Sequence, residues 1–132
     1  MNTLLLGSNS ASRKKLLQDM QIPFQIIGHR SDEQVCDWNK PLEQLVESIA
    51  IGKMETVIIP DEFKNQKTCY VLTADTLGSD STGAVHGKPT DLNNARVMIK
   101  ALRGTGKVAT GFCLDKKIWN GYVFRVWVYY LS

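Results

Sequence analysis

The chain has 132 residues, of which 43% are hydrophobic and 22% are charged, as is usual for a globular protein. This length suits a single domain over residues 1–132. Lys and Arg number 16 against 13 acidic residues, which gives a formal charge of +3. That excess is too small for a nucleic-acid scaffold, but it suits an anionic small molecule.

Two further features bear on the compartment. No apolar run is long enough to span a membrane, and the apolar residues 4–6 stop at Gly7, too early for a signal peptide. The cysteines number 3, lie far apart and form no CxxC pair. They predict neither structural zinc nor a disulfide framework, and they indicate a reducing cytoplasm.

The first half of the chain alternates short apolar runs with amphipathic segments. In order, it predicts a strand over 3–6, a helix over 11–20 with Ser10 as N-cap, a strand over 24–27, a polar loop over 28–39, and a helix from Pro41 through Val57 that ends before Pro60. Gly52 lowers the stability of the second helix by about 1 kcal/mol relative to Ala. We therefore expect close backbone packing or ligand approach at Gly52.

The second half of the chain also predicts both strands and helices. It predicts a strand over 69–72 that ends in Asp75, turns over 78–83, a helix capped by Thr90 and reaching Leu102, and strands over 108–114 and 122–131 joined by the hairpin dipeptide Asn120–Gly121. This order of elements predicts a mixed α/β fold without internal repeats.

Asp75 is the most informative residue, because it follows a short apolar run that predicts a buried strand. Open α/β sheets bind ligands at the carboxyl ends of their strands. A buried carboxylate needs a partner, since an isolated charge in an apolar medium is very costly. A metal ion or a lysine such as Lys88 would meet that need, and the combination suggests phosphate chemistry.

Residues 7–13, between the first predicted strand and helix, are small and hydroxylic and end in Arg13. They leave the helix N-terminal amides open, and those amides with the helix dipole favour an anion. Arg13 can add a bidentate phosphate contact. A simple capped turn explains the segment equally well, and it lacks the Walker spacing.

Other polar residues carry a weaker signal. The acidic pair Asp32–Glu33 is expected on a solvated surface. Lys53 lies on an inward helix face, from which a lysine normally extends to solvent unless a phosphate or Asp75 lies within reach. No spacing makes His29 and His86 zinc ligands or catalytic bases, so we expect both at the surface.

Together these segments resemble the Maf (septum-formation-inhibitor-like) family. The matching segments, in chain order, are residues 6–17 (family LASxSPRRxELL), Asp32–Glu33 (DE), Ala50 with Lys53 (LAxxKA), Ala74–Asp75–Thr76 (ADT), Gly87–Lys88–Pro89 (GKP) and Thr110–Gly111. The departures are Ala11 for the family's proline, Ser12 for the first of two arginines, Lys15 for a glutamate, and a segment over 102–107 that lacks the family's histidine.

The resemblance implies a mixed central β-sheet flanked by helices, as in Maf and ITPase proteins. It also implies a cytoplasmic hydrolase of acid anhydrides, a nucleotide pyrophosphatase that splits modified or non-standard nucleoside triphosphates into monophosphate and pyrophosphate with Mg²⁺, or alternatively Mn²⁺. The implied roles are Asp75 as general base or metal ligand, Glu33 as metal ligand, Ser8, Ser10, Arg13 and Thr76 in substrate binding, and Lys53 and Lys88 in neutralising charge.

Family members continue with further helices and phosphate-contacting segments beyond the strand at which this chain stops. The competing expectation is therefore a truncated nucleotide binder with impaired catalysis. The aromatic strand over 122–131 would lie uncovered and predicts a homodimer through the sheet. A nucleic-acid or phosphate-binding module is a minor alternative, because the aromatic residues of that strand can stack on bases but no basic stripe accompanies them.

Overall fold

A computed structural model describes residues 4–31, 39–64, 68–80, 82–86, 91–101, 106–118 and 122–131, without the side chains of 64, 94, 98, 101, 118 and 122–131. Its elements are β1 (Leu4–Leu6), α1 (Ala11–Asp19), β2 (Phe24–Ile26), β3 (Gly28–His29), α2 (Leu42–Glu55), β4 (Val57–Ile58), α3 (Asp61–Lys64), β5 (Thr68–Ser79), β6 (Val85–His86), α4 (Leu92–Ala101), β7 (Lys107–Ile118) and β8 (Tyr122–Leu131).

The main sheet is mixed, as the sequence predicts. Its strands follow the order β2-β1-β5-β7-β8, and β6 pairs with β5. β2, β1 and β5 run parallel, whereas β6 and β7 pair with β5, and β8 with β7, in antiparallel fashion. Since α1 connects the parallel strands β1 and β2, it forms the crossover that parallel pairing requires.

The core lies between this sheet and α2. Alternate residues of β5 and β7 face the helix, and their partners on α2 include the fully buried Leu45, Val46 and Ile49. The two clusters of buried side chains include Cys69, Val71 and Cys113 toward one end of α2 and Leu77 and Ala109 toward the other. Burial of these apolar side chains holds α2 against the middle of the sheet. It thereby positions the other residues that α2 presents to the sheet.

β5 is longer than predicted. We expected a strand that ends in Asp75, but β5 continues to Ser79 because β7 pairs with it from Thr68 through Ser79. Asp75 therefore lies within β5, opposite Gly111 of β7. The parallel neighbour β1 does end here, since its last residue Leu6 pairs with Leu72.

A small second sheet was also missed. The predicted loop over 28–39 begins with β3, which pairs with β4 through Gly28↔Ile58 and His29↔Val57. The helix expected to include Val57 instead ends at Glu55, where Thr56 donates its hydroxyl hydrogen to the Gly52 carbonyl at 3.0 Å. Two-residue strands carry too little periodicity to be recognised from sequence.

The terminal helix and strand are less enclosed than α2. The apolar Leu92, Val97 and Ile99 of α4 are more than 60% exposed. β8 forms an edge of the main sheet, so dimerisation through it stays a prediction. The predicted cap Thr90 and hairpin dipeptide Asn120–Gly121 lie outside the described residues. In the described part of the chain, no helix is both long and apolar enough to cross a membrane.

Candidate functional site

The candidate site lies where β1 ends and β5 continues. The amide of Gly7, directly after β1, donates to the Leu72 carbonyl at 2.8 Å and extends the parallel pairing by one bond. The chain then turns away into α1, which leaves the next residues of β5 beside the start of that helix. Asp75 and Thr76 are thus placed at the carboxyl end of a parallel strand, where α/β sheets bind ligands.

Lys53 and Asp75 form a buried ion pair at this edge. Lys53 Nζ donates to Asp75 Oδ1 at 3.2 Å and to the Ala74 carbonyl at 3.1 Å. Both side chains are close to 90% buried, with 10% of Lys53 and 12% of Asp75 exposed. Lys53 comes from the last turn of α2. Its inward position is therefore confirmed, and the partner it needs is the carboxylate within reach.

Arg13 is held by two hydroxyl groups beside this pair. Its Nη1 donates to Ser8 Oγ at 2.9 Å and its Nη2 donates to Thr76 Oγ1 at 3.0 Å. Ser10 caps α1 as predicted, since its Oγ accepts from the Arg13 amide at 3.4 Å. The site thus combines a helix N-terminus, a guanidinium and a carboxylate.

The surroundings of Arg13 shift the pKa of its guanidinium group. Burial lowers the pKa of the guanidinium from its ordinary value, and the negative charge of Asp75 acts in the opposite direction. Arginine nevertheless stays protonated in proteins. Because Asp75 influences Arg13 electrostatically and contacts Lys53 directly, the three side chains form one charged cluster with two cations and one anion.

Two predicted site residues, Glu33 and Lys88, lie outside the described residues. The described residue Ser31 precedes Glu33 by two positions, and a Cβ built on Gly52 would lie 3.5 Å from Ser31 Oγ. This is ordinary van der Waals contact with a side chain, so the described residues give no close backbone packing at Gly52, and ligand approach there stays a prediction. The contact does place Ser31 beside the last turn of α2, next to Lys53.

The described residues contain no group of three His, Cys, Asp or Glu side chains that could hold a metal ion. Asp75 is the carboxylate at the site. Accepting from Lys53 does not exclude ligation, since a carboxylate has two oxygens and about four acceptor positions. Magnesium needs one or two carboxylates, with water and substrate phosphates completing its shell. Asp75 can supply one such carboxylate, and Glu33 stays the predicted second ligand.

Sequence reasoning gave no site role to two further groups of residues. Thr110 of β7 contacts Thr76, with 2.9 Å between the two Oγ1 atoms. His86, expected at the surface, lies 2.9 Å through Nε2 from Asp80 Oδ2, and its side chain is only 20% exposed. Asp80 also accepts from the Thr82 amide at 2.9 Å. An Asp followed two residues later by Thr is typical of such a turn, so this signal was present in the sequence.

Fold and site together define a mixed α/β protein with a buried lysine–carboxylate pair beside an arginine at a helix N-terminus, at the point where the parallel strand β1 ends. The family model for Maf-like protein matches residues 3–129. The chain therefore belongs to the Maf-like protein family, as its motifs indicated.

Similarity to individual proteins is moderate. The chain is 32% identical over 115 residues to a dTTP/UTP pyrophosphatase of Acholeplasma laidlawii, a match that covers 86% of this chain and 57% of the relative. It is 31% identical over 118 residues to a dTTP/UTP pyrophosphatase of Bacillus cereus, covering 89% of this chain and 58% of the relative. The chain thus spans less than three fifths of the length of these relatives.

Among solved structures, a nucleoside-triphosphatase / dITP/XTP pyrophosphatase from Mycobacterium abscessus aligns with 98% of this chain and 70% of its own. The TM-score is 0.35 and the sequence identity is 12%, a similarity too low to support an inference.

Proposed function

We propose that the chain acts as a nucleoside triphosphate pyrophosphatase, which hydrolyses its substrate to a nucleoside monophosphate and pyrophosphate. The observation that carries this proposal is the buried contact of 3.2 Å between Lys53 and Asp75, with Arg13 held next to it. A carboxylate and two cations beside the end of the parallel strand β1 suit an anhydride whose cleavage needs charge neutralisation and a positioned water. The names of the relatives, dTTP/UTP pyrophosphatase, support the same activity.

Substrate binding is assigned to the start of α1 and the facing part of β5. The first amides of a helix have no intrahelical partner and carry partial positive charge, so they attract phosphate oxygens. Arg13 adds a planar guanidinium that can contact phosphate through two nitrogens. Ser8 and Thr76 accept from those nitrogens, and Ser10 caps the helix, so these hydroxyl groups keep Arg13 in place for the triphosphate.

Asp75 is assigned the proton transfer, or else metal ligation. As general base, it accepts a proton from water while the water oxygen bonds to the α-phosphorus. The bond from that phosphorus to the oxygen bridging to the β-phosphorus breaks, and pyrophosphate leaves with the bond electrons. Lys53 and Lys88 offset the negative charge that develops on the phosphates.

A divalent metal, Mg²⁺ or alternatively Mn²⁺, would be held by Asp75 and Glu33. When bound, such an ion draws negative charge from the phosphate oxygens and fixes their orientation. Support comes from the oxygen-only donor set, because Mg²⁺ prefers oxygen ligands.

The substrate class and compartment belong to the same proposal. The names of the relatives specify dTTP and UTP, so these are the first substrates to test, with modified and non-standard triphosphates beside them. A cytoplasmic location is supported by the three widely spaced cysteines, which predict no disulfide framework.

The test is pyrophosphate release by the purified chain with Mg²⁺ across a panel of canonical and modified nucleoside triphosphates, repeated with Mn²⁺ and with chelator. Release that is abolished by chelator and by Asp75→Asn would support the proposal. No release from any substrate, alongside nucleotide binding measured by calorimetry, would reject the enzyme and favour the truncated binder.

A further inference from the structure

Thr110 and Thr76 form a directly opposed cross-strand pair. The register of β5 and β7 places Thr76 against Thr110, and their Oγ1 atoms lie 2.9 Å apart. Opposed β-branched residues have stiff side-chain torsions and interact across the pair. The torsion of Thr76 is therefore restrained by a neighbour 34 positions away in sequence.

The hydroxyl group of Thr76 makes two hydrogen bonds. It accepts from Arg13 Nη2 at 3.0 Å, and it exchanges a hydrogen bond with Thr110. A threonine hydroxyl has one hydrogen to donate and two acceptor positions, so both contacts can be made together. Thr110 therefore reaches the guanidinium through Thr76, with no need to contact Arg13 itself.

We propose that Thr110 is a positioning residue for triphosphate binding. Its hydroxyl keeps Thr76 Oγ1 aimed at Arg13, so that Ser8 and Thr76 hold both terminal nitrogens of the guanidinium. An arginine whose rotamer is set before binding loses less freedom when the anion arrives. This inference rests on the proposed function, because it names a determinant of the same substrate site.

The test uses Thr110→Val, which removes the hydroxyl and keeps the β-branched shape. We expect KM for the triphosphate to rise about 2- to 10-fold, the range of one ordinary hydrogen bond, with a smaller change in kcat. Thr110→Ser retains the hydroxyl and should restore most of the affinity. Thr68→Val, a half-buried position near the other end of β5, is the matched control and should leave KM unchanged.

A double-mutant cycle tests whether Thr110 acts on Arg13 through Thr76. If Thr110 acts through Thr76, the effect of Thr110→Val should disappear in a Thr76→Val background. Fully additive effects of the two substitutions on KM would overturn the proposal. So would an unchanged KM in a Thr110→Val variant that unfolds at the wild-type temperature.

A measurement without nucleotide separates this inference from the proposed function. In ¹⁵N-arginine spectra, the Arg13 side-chain signal, assigned by its loss in Arg13→Lys, should move in Thr110→Val and stay in place in Thr68→Val. If the wild-type chain releases no pyrophosphate, the proposed function fails, and this signal still decides whether Thr110 positions Arg13. An Arg13 signal that does not respond to Thr110→Val would overturn the inference whatever the activity.

Discussion

Lys53 Nζ lies within 3.2 Å of both Asp75 Oδ1 and the carbonyl oxygen of the preceding residue, Ala74. One ammonium group thus joins the last turn of α2 to the middle of β5 at the point where the parallel strand β1 has ended. The pair is almost fully buried, so its attraction is weakly screened by solvent and salt. It stabilises the ionised form of the carboxylate to which we assign the chemistry.

Asp75→Asn is expected to abolish turnover while nucleotide still binds. The amide keeps the size of the side chain and an oxygen toward Lys53, but it cannot accept the proton of water. General-base catalysis contributes about 10²- to 10⁴-fold, so kcat should fall by at least that range. Pyrophosphate release measures the loss and calorimetry measures the binding. Asp19→Asn, at an exposed ion pair with Lys15, is the control. Near-normal kcat in Asp75→Asn would contradict the assignment.

Lys53→Met is expected to reduce the free energy of unfolding by about 3–5 kcal/mol, because it leaves the Asp75 carboxylate buried without its cation. The double variant Lys53→Met/Asp75→Asn should recover much of this stability, since neither charge of the pair is then left buried without the other. It should not recover activity. Urea unfolding monitored by circular dichroism measures the stability of the single and the double variant, and pyrophosphate release measures the activity. Equal instability of the single and double variants would show that packing of the lysine stem, not its charge, is what matters.

Gly111→Ala is expected to separate α2 from β7. A Cβ at Gly111 would overlap the carbonyl group of Val46 and would lie 2.7 Å from the amide nitrogen of Glu47, and this helix backbone cannot move aside alone. Overpacking of this kind costs typically about 1–3 kcal/mol. Gly28→Ala is the matched control, because its nearest neighbour, a side-chain atom of Ile58, would be 3.8 Å away. In thermal unfolding, Gly111→Ala should therefore show a lower melting temperature than Gly28→Ala.

The Asp80 turn predicts an effect of pH on stability. Hydrogen bonds from Thr82, His86 and Ala84 hold the pKa of the Asp80 carboxyl well below its usual range. Because the folded pKa is depressed, this stabilisation is present above the unfolded pKa near 3.9 and is lost as pH falls from there through the folded pKa.

The difference in free energy of unfolding between wild type and Asp80→Asn should therefore be largest near pH 6 and shrink below about pH 4. Urea titrations at pH 6 and pH 3 measure it. Thr82→Val removes the first of these hydrogen bonds and should weaken the pH dependence. A difference that stays constant between the two pH values would reject the assigned cause.

Local features of the chain were predictable from neighbouring residues. The first strand, α1 and its cap at Ser10 follow from an apolar run, a hydroxyl residue and helical spacing, all within a few positions. The inward face of α2 at Lys53 follows from the same periodicity. The family motifs also singled out Asp75 and Arg13, because both residues lie in segments that resemble the motifs of the family.

The residues themselves determined that a carboxylate, a guanidinium and an inward lysine exist in a mixed α/β chain. Only the tertiary structure decided that they meet. Arg13 and Thr76 are 63 positions apart, and Lys53 and Asp75 are 22 apart, so no local pattern reports their distances. The pairing of β5 with β7 also extends β5 beyond Asp75 and places Thr110 opposite Thr76. Strand pairing and helix packing are long-range contacts, set by which apolar faces are buried together, and they turned separate motifs into one charged site.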